Sequence, residues 1–439
     1  MDLKKDSVLK IFLTYLRAAF FSTMISSIYG VVDMAVVGQY QGPEGTAALA
    51  VVAPVWNLIY SLGLLVGVGG SVLLSVSRGR GEEKAQNEYF TVAFIGAVTL
   101  SVIAWLTLIF AENQMLILFG ADSELLPLAK EYLLPVKFTV PVFIFTQLFA
   151  AFLRNDDNPS LAARAVLCGG IFNVFGDIFC VFTLDMGIMG AGLATSIGAI
   201  ITLIIMLTHF KSKKNTMKFT KPTRLANKAG KIIITGFSSF LIDVAMGILT
   251  TFFNRQIMRY LGTDALSVYG VIVNISTIVQ CCAYSVGSAS QPLFSVNFGA
   301  GNGKRLRQTL RYAAIASAVL GVVWTCVIWA IPNAFIKIFM SPTEAILGVA
   351  PSIMRTYAIS FLLLPFNVFS TYYYQAILKP AYSFAVSLLR GVIISGAAIY
   401  LLPALLGANF VWCAMPLTEL IIFIPVCIHV LRSSKTVVG

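Results

Sequence analysis

Charge is scarce in this sequence. Only 11% of its 439 residues are Asp, Glu, Lys or Arg, against about 25% in a soluble globular protein. With 58% of the residues hydrophobic and a mean hydropathy of +0.86, too little polar surface exists to face water on all sides. The soluble, fibrous and disordered classes are thereby excluded. Histidine is nearly absent. His209 and His429 are the only two, both near expected helix ends, so no histidine-based metal or catalytic cluster is available. The seven cysteines, Cys168, Cys180, Cys281, Cys282, Cys326, Cys413 and Cys427, show no paired metal spacing. They read as small buried hydrophobes inside apolar helices. A phosphate loop of the G-x-x-x-x-G-K-[ST] type is missing. The stretch GLLVGVGG lacks its Lys-Ser/Thr ending, so ATP-driven pumping is not expected. No Ser-His-Asp candidate points to an enzyme. The N-terminal MDLKKDSVLK lacks a small-residue cleavage site, so the first apolar segment is expected to remain as an anchor.

What the chain has instead is long apolar runs. A helix needs about 20 apolar residues to span a bilayer, whereas a barrel strand needs about ten of alternating polarity. The runs here are long and apolar on every side, which gives an all-α polytopic membrane protein. Twelve transmembrane helices are expected, over about 9–37, 47–77, 88–111, 124–153, 160–183, 188–210, 230–260, 266–297, 309–332, 345–378, 381–403 and 407–431. The net charge of +12 could signal a polyanionic partner in a soluble protein. Here the bases collect in particular loops. Lys211, Lys213, Lys214, Lys218, Lys221, Arg224, Lys228 and Lys231 crowd one connection, and Lys304, Arg305, Arg307 and Arg311 follow helix eight. The alternate loops carry Glu44, Asp122, Glu124, Asp185, Asp264 and Glu344. Nucleic acid is therefore not an expected partner. The positive-inside rule puts both termini on the cytoplasmic side of the cell membrane.

The basic stretch splits the chain into an N-terminal six-helix lobe (1–210), a cytoplasmic linker (211–229) and a C-terminal six-helix lobe (230–439). The halves match at a fixed offset of 220. Tyr40 and Gly42 pair with Tyr260 and Gly262, Gly79 with Gly299, Gly81 with Gly301, and Lys84 with Lys304. One residue later in phase, Pro159 pairs with Pro380 and Gly170 with Gly391. Six helices is an even number, so the two bundles insert in one orientation as a parallel pseudo-repeat. A cavity between them and alternating access by rocking are expected.

Acids at bilayer depth are costly and commonly functional. Asp33 sits in YGVVDMAVVGQY, and its repeat counterpart is Phe253. In GGIFNVFGDIFCVF, Asn173 and Asp177 are four apart and share a helix face; their counterparts are Ile394 and Ala398. Thr195 lies near the start of helix six. Together Asp33, Asn173, Asp177 and Thr195 could offer oxygens to H⁺ or to a hard cation such as Na⁺, or each could bond a neighbouring helix. Asp243 in helix seven and Glu419 in helix twelve could contact a cationic substrate, or Glu419 or Asp243 could pair with Arg390 of helix eleven. Tyr372, in the run Tyr372-Tyr373-Tyr374 of helix ten, could line a site for flat organic cations.

At these residues the chain resembles the multidrug and toxic compound extrusion (MATE) transporters. YGVVDMAVVGQYQG, NVFGD, GIMGAGLATSIG, SFLIDVAMGILTTFFN and SASQPLFSVNFGAGNGKR carry the likeness, in order, from about residue 10 to 430. SSFLID and LRNDDNP point to the MepA-type bacterial branch. The resemblance implies an antiporter that exports organic cations, as in multidrug efflux, in exchange for H⁺ or Na⁺; no cofactor is expected, and the protein is expected to act as a monomer. It implies a cation site at Asp33, Asn173, Asp177 and Thr195. Some branches use a helix-seven Glu where this chain has the shorter Asp243. A metabolite exporter or a flippase of lipid-linked substrates on the same fold is the alternative. A membrane enzyme or receptor-like scaffold is the reading from a different class.

Overall fold

The protein was described from a computed structural model, which describes residues 3–339 and 342–436. Among the described residues, twelve helices are long and apolar enough to cross a membrane. They are α1 (Val8–Gly42), α2 (Glu44–Arg80), α3 (Glu83–Phe110), α4 (Leu125–Asn155), α5 (Pro159–Thr183) and α6 (Gly187–Lys211), then α7 (Leu225–Tyr260), α8 (Asp264–Gly299), α9 (Gly303–Ala330), α10 (Glu344–Ala376), α11 (Pro380–Leu406) and α12 (Ala408–Arg432). This is the all-α polytopic fold, in helices that begin and end close to the expected positions. Two short helices, Glu112–Leu118 and Pro332–Phe339, follow α3 and α9; the apolar-run criterion passes over segments of that length.

The repeat is visible in the backbone of each half. α1 meets α2 at Gly42, where φ is 70°, and the equivalent α7–α8 joint is at Gly262, with φ 80°. A left-handed residue costs little only for glycine, so these two positions fix the kink. Gly81 and Gly301 repeat the pattern, as do Asp157 and Leu378 at φ 58° and 55°. A Cβ on Gly170 would press on Ile25 and one on Gly391 on Ala245, neighbours that are themselves 220 residues apart.

The chain divides into two compact units. One runs from Arg17 to Phe240; the other joins Leu3–Leu16 to the chain from Leu241 onward. The division falls inside α1 and α7 rather than in the basic stretch 211–229. Contacts within each unit explain this. In the first unit, Thr216 accepts a hydrogen bond from Gln86 Nε2 at 2.8 Å, and the Lys218 amide donates to Asn87 Oδ1 at 3.0 Å. The Thr220 amide donates to Thr91 Oγ1 at 3.0 Å. The stretch is thus strapped along the start of α3. The beginning of α7 then lies on α2, where Gly69 and Gly236 face the carbonyls of Ile232 and Leu65 with no room for a side chain. In the second unit, Phe12 stacks on Tyr312 with centroids 6.4 Å apart, and Asn297 Nδ2 donates to the Leu3 carbonyl at 3.2 Å.

The cysteines correct the sequence reading in part. Cys180 and Cys282 are buried, but Cys168 and Cys326 are exposed on their helices. A small apolar side chain can face lipid tails as readily as a helix neighbour.

Candidate functional site

The glycines of GIMGAGLATSIG, at the start of α6, set the geometry of the N-terminal site. A Cβ on Gly190 would meet the Cys180 backbone, one on Gly192 the Tyr132 carbonyl, and one on Gly198 the Gly169 carbonyl, all at 2.9 Å or less. Small residues let helices in lipid approach backbone to backbone. α6 is thereby drawn against both α4 and α5. Immediately after Asp177 the backbone of α5 widens into a π turn at Phe179–Thr183. Such turns interrupt the regular ladder, frequently at functional positions.

This packing brings the four residues singled out from sequence into one neighbourhood, held by a fifth. Asn173 Nδ2 donates to Asp177 Oδ1 at 3.2 Å and to Thr195 Oγ1 at 3.0 Å. The Tyr132 hydroxyl of α4 donates to Asp33 Oδ2 at 3.0 Å. The Thr195 side chain and the Trp56 indole lie within reach of the same hydroxyl. Asp33 and Asp177 are near enough for the charge of one to be felt at the other. All four are buried, Asp177 completely. Among the described residues, no Lys, Arg or His pairs with either carboxylate. Three buried oxygens have no partner: Asp33 Oδ1, Asn173 Oδ1 and Asp177 Oδ2. A buried acceptor left unsatisfied is unfavourable, and a buried charge more so. The cluster therefore gathers oxygen acceptors with no basic group beside them among the described residues. Beside it stands an aromatic wall. Trp56 meets Phe143 edge-on with centroids 4.6 Å apart and lies 5.8 Å from Tyr60.

Tyr132 and Trp56 escaped the sequence reading. Each is one aromatic among many in an apolar helix, and 99 residues separate Tyr132 from Asp33. Nothing local marks that pairing.

The C-terminal residues are arranged differently. Phe253, the counterpart of Asp33, is buried and stacks on Tyr269 with centroids 4.9 Å apart. Glu419 is fully buried, and its Oε1 accepts from Arg390 Nε at 2.7 Å. Its Oε2 accepts from Asn367 Nδ2, also at 2.7 Å. Tyr372 packs on Gly287 and meets Tyr284 edge-on at 6.4 Å. The side chain of Asp243 lies outside the described residues. Among the described residues, Arg390 pairs with Glu419.

Among the described residues, twelve spanning helices in two like-built halves, with buried acids that lack a basic partner in the first, fit a membrane transporter. A family model described as MatE matches the chain twice, at residues 18–179 and 239–401. The chain belongs to the MatE family, and each match covers one copy of the repeat. Among curated relatives it is similar to the multidrug export protein MepA of Staphylococcus saprophyticus, 23% identical over 99% of this chain and 96% of the relative. MepA of Staphylococcus aureus is 22% identical over 95% of this chain and 92% of the relative. Among solved structures, an outward-facing multidrug resistance MATE transporter of the MOP superfamily superposes with a TM-score of 0.92 at 20% identity, covering 99% of this chain and 98% of that one. A MOP superfamily transporter from Pyrococcus furiosus, for which a binding pocket of reverse polarity suggests a different function, gives 0.92 at 20% identity over 100% and 98%. The chain shares their fold and is a secondary transporter of the MatE family.

Proposed function

We propose that the protein is a MepA-type antiporter that exports organic cations in exchange for H⁺ or Na⁺, acting as a monomer in the cell membrane with both termini cytoplasmic. The observation that carries this reading is the set of unpartnered oxygens on Asp33, Asn173 and Asp177 around two buried carboxylates with no basic partner. A proton or a Na⁺ ion supplies the missing charge, and Thr195 adds a neutral oxygen. A lipophilic cation suits the same region, because the aromatic faces of Trp56, Tyr60 and Phe143 attract positive charge. Coupling requires that the ion bind one conformation more tightly than the other, since equal affinity for both shifts nothing. Asp243 is assigned to attracting cationic substrate. Glu419, already paired, is assigned to holding Arg390. A flippase of lipid-linked pyrophosphates would call for a basic site, whereas the N-terminal cluster is acidic.

The test is ethidium efflux from proteoliposomes under H⁺ and Na⁺ gradients imposed separately, comparing wild type with Asp33→Asn. Efflux driven by one gradient and abolished in the variant is expected, and it names the ion. Driven efflux that survives Asp33→Asn would relocate coupling. Absence of driven efflux for ethidium and similar cations would overturn the cation-export reading and favour metabolite export.

A further inference from the structure

The C-terminal unit contains a cavity of about 70 Å³ that the acidic site does not use. Its walls include Leu249, Phe253, Tyr269, Tyr357 and Met415, and Arg390 is the one charged side chain among its described residues. The space holds on the order of five waters, or a carboxylate of about acetate size.

Arg390 is held so that most of its donors are left over. Only Nε has a protein partner among the described residues, Glu419 Oε1 at 2.7 Å. Asn367 fixes the other side of Glu419, donating to Oε2 at 2.7 Å and to the Glu419 carbonyl at 2.9 Å. A guanidinium carries five N–H donors in a rigid fork. One is used here, and among the described residues the four on Nη1 and Nη2 remain. That remaining fork matches a carboxylate bidentately.

The repeat argues that the ion pair is not architectural. At the 221-residue offset that relates Gly391 to Gly170, Arg390 corresponds to Gly169 and Glu419 to Gly198. In the first unit those two glycines pack backbone to backbone. The same pair of helices therefore closes without any charge. A charged pair placed at this depth, in one half only, is then more readily explained by ligand than by packing. Arg390 also lies in a π turn, Leu389–Ile393, and apolar walls with a few convergent polar groups are typical of small-molecule sites.

We propose that this cavity binds the carboxylate end of a small amphipathic molecule. The Nη fork of Arg390 takes the carboxylate, and Tyr269, Tyr357 and Phe253 wall the space beside it. Glu419 and Asn367 are positioning residues. The site goes beyond ion-coupled cation export and does not depend on it.

The test is equilibrium binding of trifluoroacetate to the full chain in phosphatidylcholine nanodiscs, followed by ligand ¹⁹F NMR with no ion gradient. Failure here is thus separable from failure of driven efflux. Wild type is expected to bind the carboxylate about tenfold or more tightly than the neutral amide analogue. Arg390→Gln should remove that preference. Because Arg390→Gln strands Glu419, the double variant Arg390→Gln/Glu419→Gln is measured beside it with the same expectation. Met246→Trp fills the cavity from its wall without touching the ion pair, and it should abolish binding. Glu419→Gln keeps an oxygen for Nε but removes the neutralising charge, so the carboxylate should bind more tightly. Equal binding of acid and amide, or binding that survives both the double variant and Met246→Trp, would overturn the site. Unchanged or weaker binding in Glu419→Gln would overturn the positioning role. Unchanged affinity after adding phosphatidylglycerol to the nanodiscs supports a free carboxylate. Displacement by it would hand the cavity to a lipid headgroup and overturn the assignment.

Discussion

Tyr132 is the residue through which α4 reaches the acidic site. Among the described residues its hydroxyl is the one hydrogen-bond donor on Asp33, and a hydrogen bond to a charged group contributes about 1.5–3 kcal/mol. Tyr132→Phe keeps the ring against Trp56 but leaves Asp33 without that donor. Apparent affinity for the coupling ion should shift by about tenfold or more, read as the ion dependence of efflux in proteoliposomes, while the fold is unchanged by circular dichroism. Arg390 and Glu419 obey a different logic. Removing one member of a buried ion pair strands the other and costs about 3–5 kcal/mol. Arg390→Gln should therefore lower the melting temperature far more than Arg390→Gln/Glu419→Gln, whose two neutral amides can bond each other. Thermal melts of the two single variants and the double variant in detergent measure the coupling. Near-additive losses would mean that the pair is not a unit.

At the scale of the helix, α6 is held by what it lacks. A Cβ on Gly169 would lie 2.0 Å from Thr202 Oγ1 and 2.5 Å from the Gly198 carbonyl. One of those obstacles is backbone and cannot swing aside. Gly169→Val should force α5 and α6 apart, cost about 1–3 kcal/mol or more, and loosen the Asn173–Thr195 contact one turn further on. Gly230, in α7, is the control. No heavy atom lies within 4 Å of a Cβ there, so Gly230→Ala should be neutral or stabilising by about 0.5–1 kcal/mol. Melting temperatures of the two variants should move in opposite directions, and loss of stability in Gly230→Ala would contradict the contact description.

The integrity of the whole first unit depends on a polar knot where α2, α4, α6 and the basic stretch meet. Asp156, in the connection between α4 and α5, accepts from His209 Nε2 at 2.8 Å and from the Thr216 amide at 2.9 Å. Arg78 lies 3.8 Å away. Burial opposes ionisation of Asp156. The bonds from His209 and Thr216 and the charge of Arg78 outweigh it, and they hold the carboxyl below the usual carboxylate range. A depressed folded-state value stabilises above the unfolded value of about 3.9. That contribution is lost as pH falls through the folded value. The neighbouring Asp157 is pushed up by burial in spite of Arg78, so it offsets part of the gain. Asp156→Asn should cost about 2–4 kcal/mol at neutral pH. It should also flatten the acid limb of a stability profile, measured as melting temperature from pH 7 down to pH 3. A variant whose acid limb is as steep as that of wild type would place the acid sensitivity elsewhere.

The sequence by itself determined the all-α membrane class, the number of helices and the repeat. Each follows from apolar run length and from spacing along one chain, and a bilayer tolerates few alternatives to a helix. It also singled out Asp33, Asn173, Asp177 and Thr195, because a polar side chain in an apolar run is conspicuous without any knowledge of its neighbours. Tertiary structure alone decided who those neighbours are. It put Tyr132 on Asp33 across 99 residues and joined His209 to Asp156 across 53. It laid the basic linker along α3, and gave Arg390 to Glu419 with its Nη fork toward a cavity. Such pairings depend on helix rotation and closest approach, which glycines such as Gly169 and Gly198 set through contacts distant in sequence. Hydrophobic periodicity carries no record of them, because in lipid every face of a helix can be apolar.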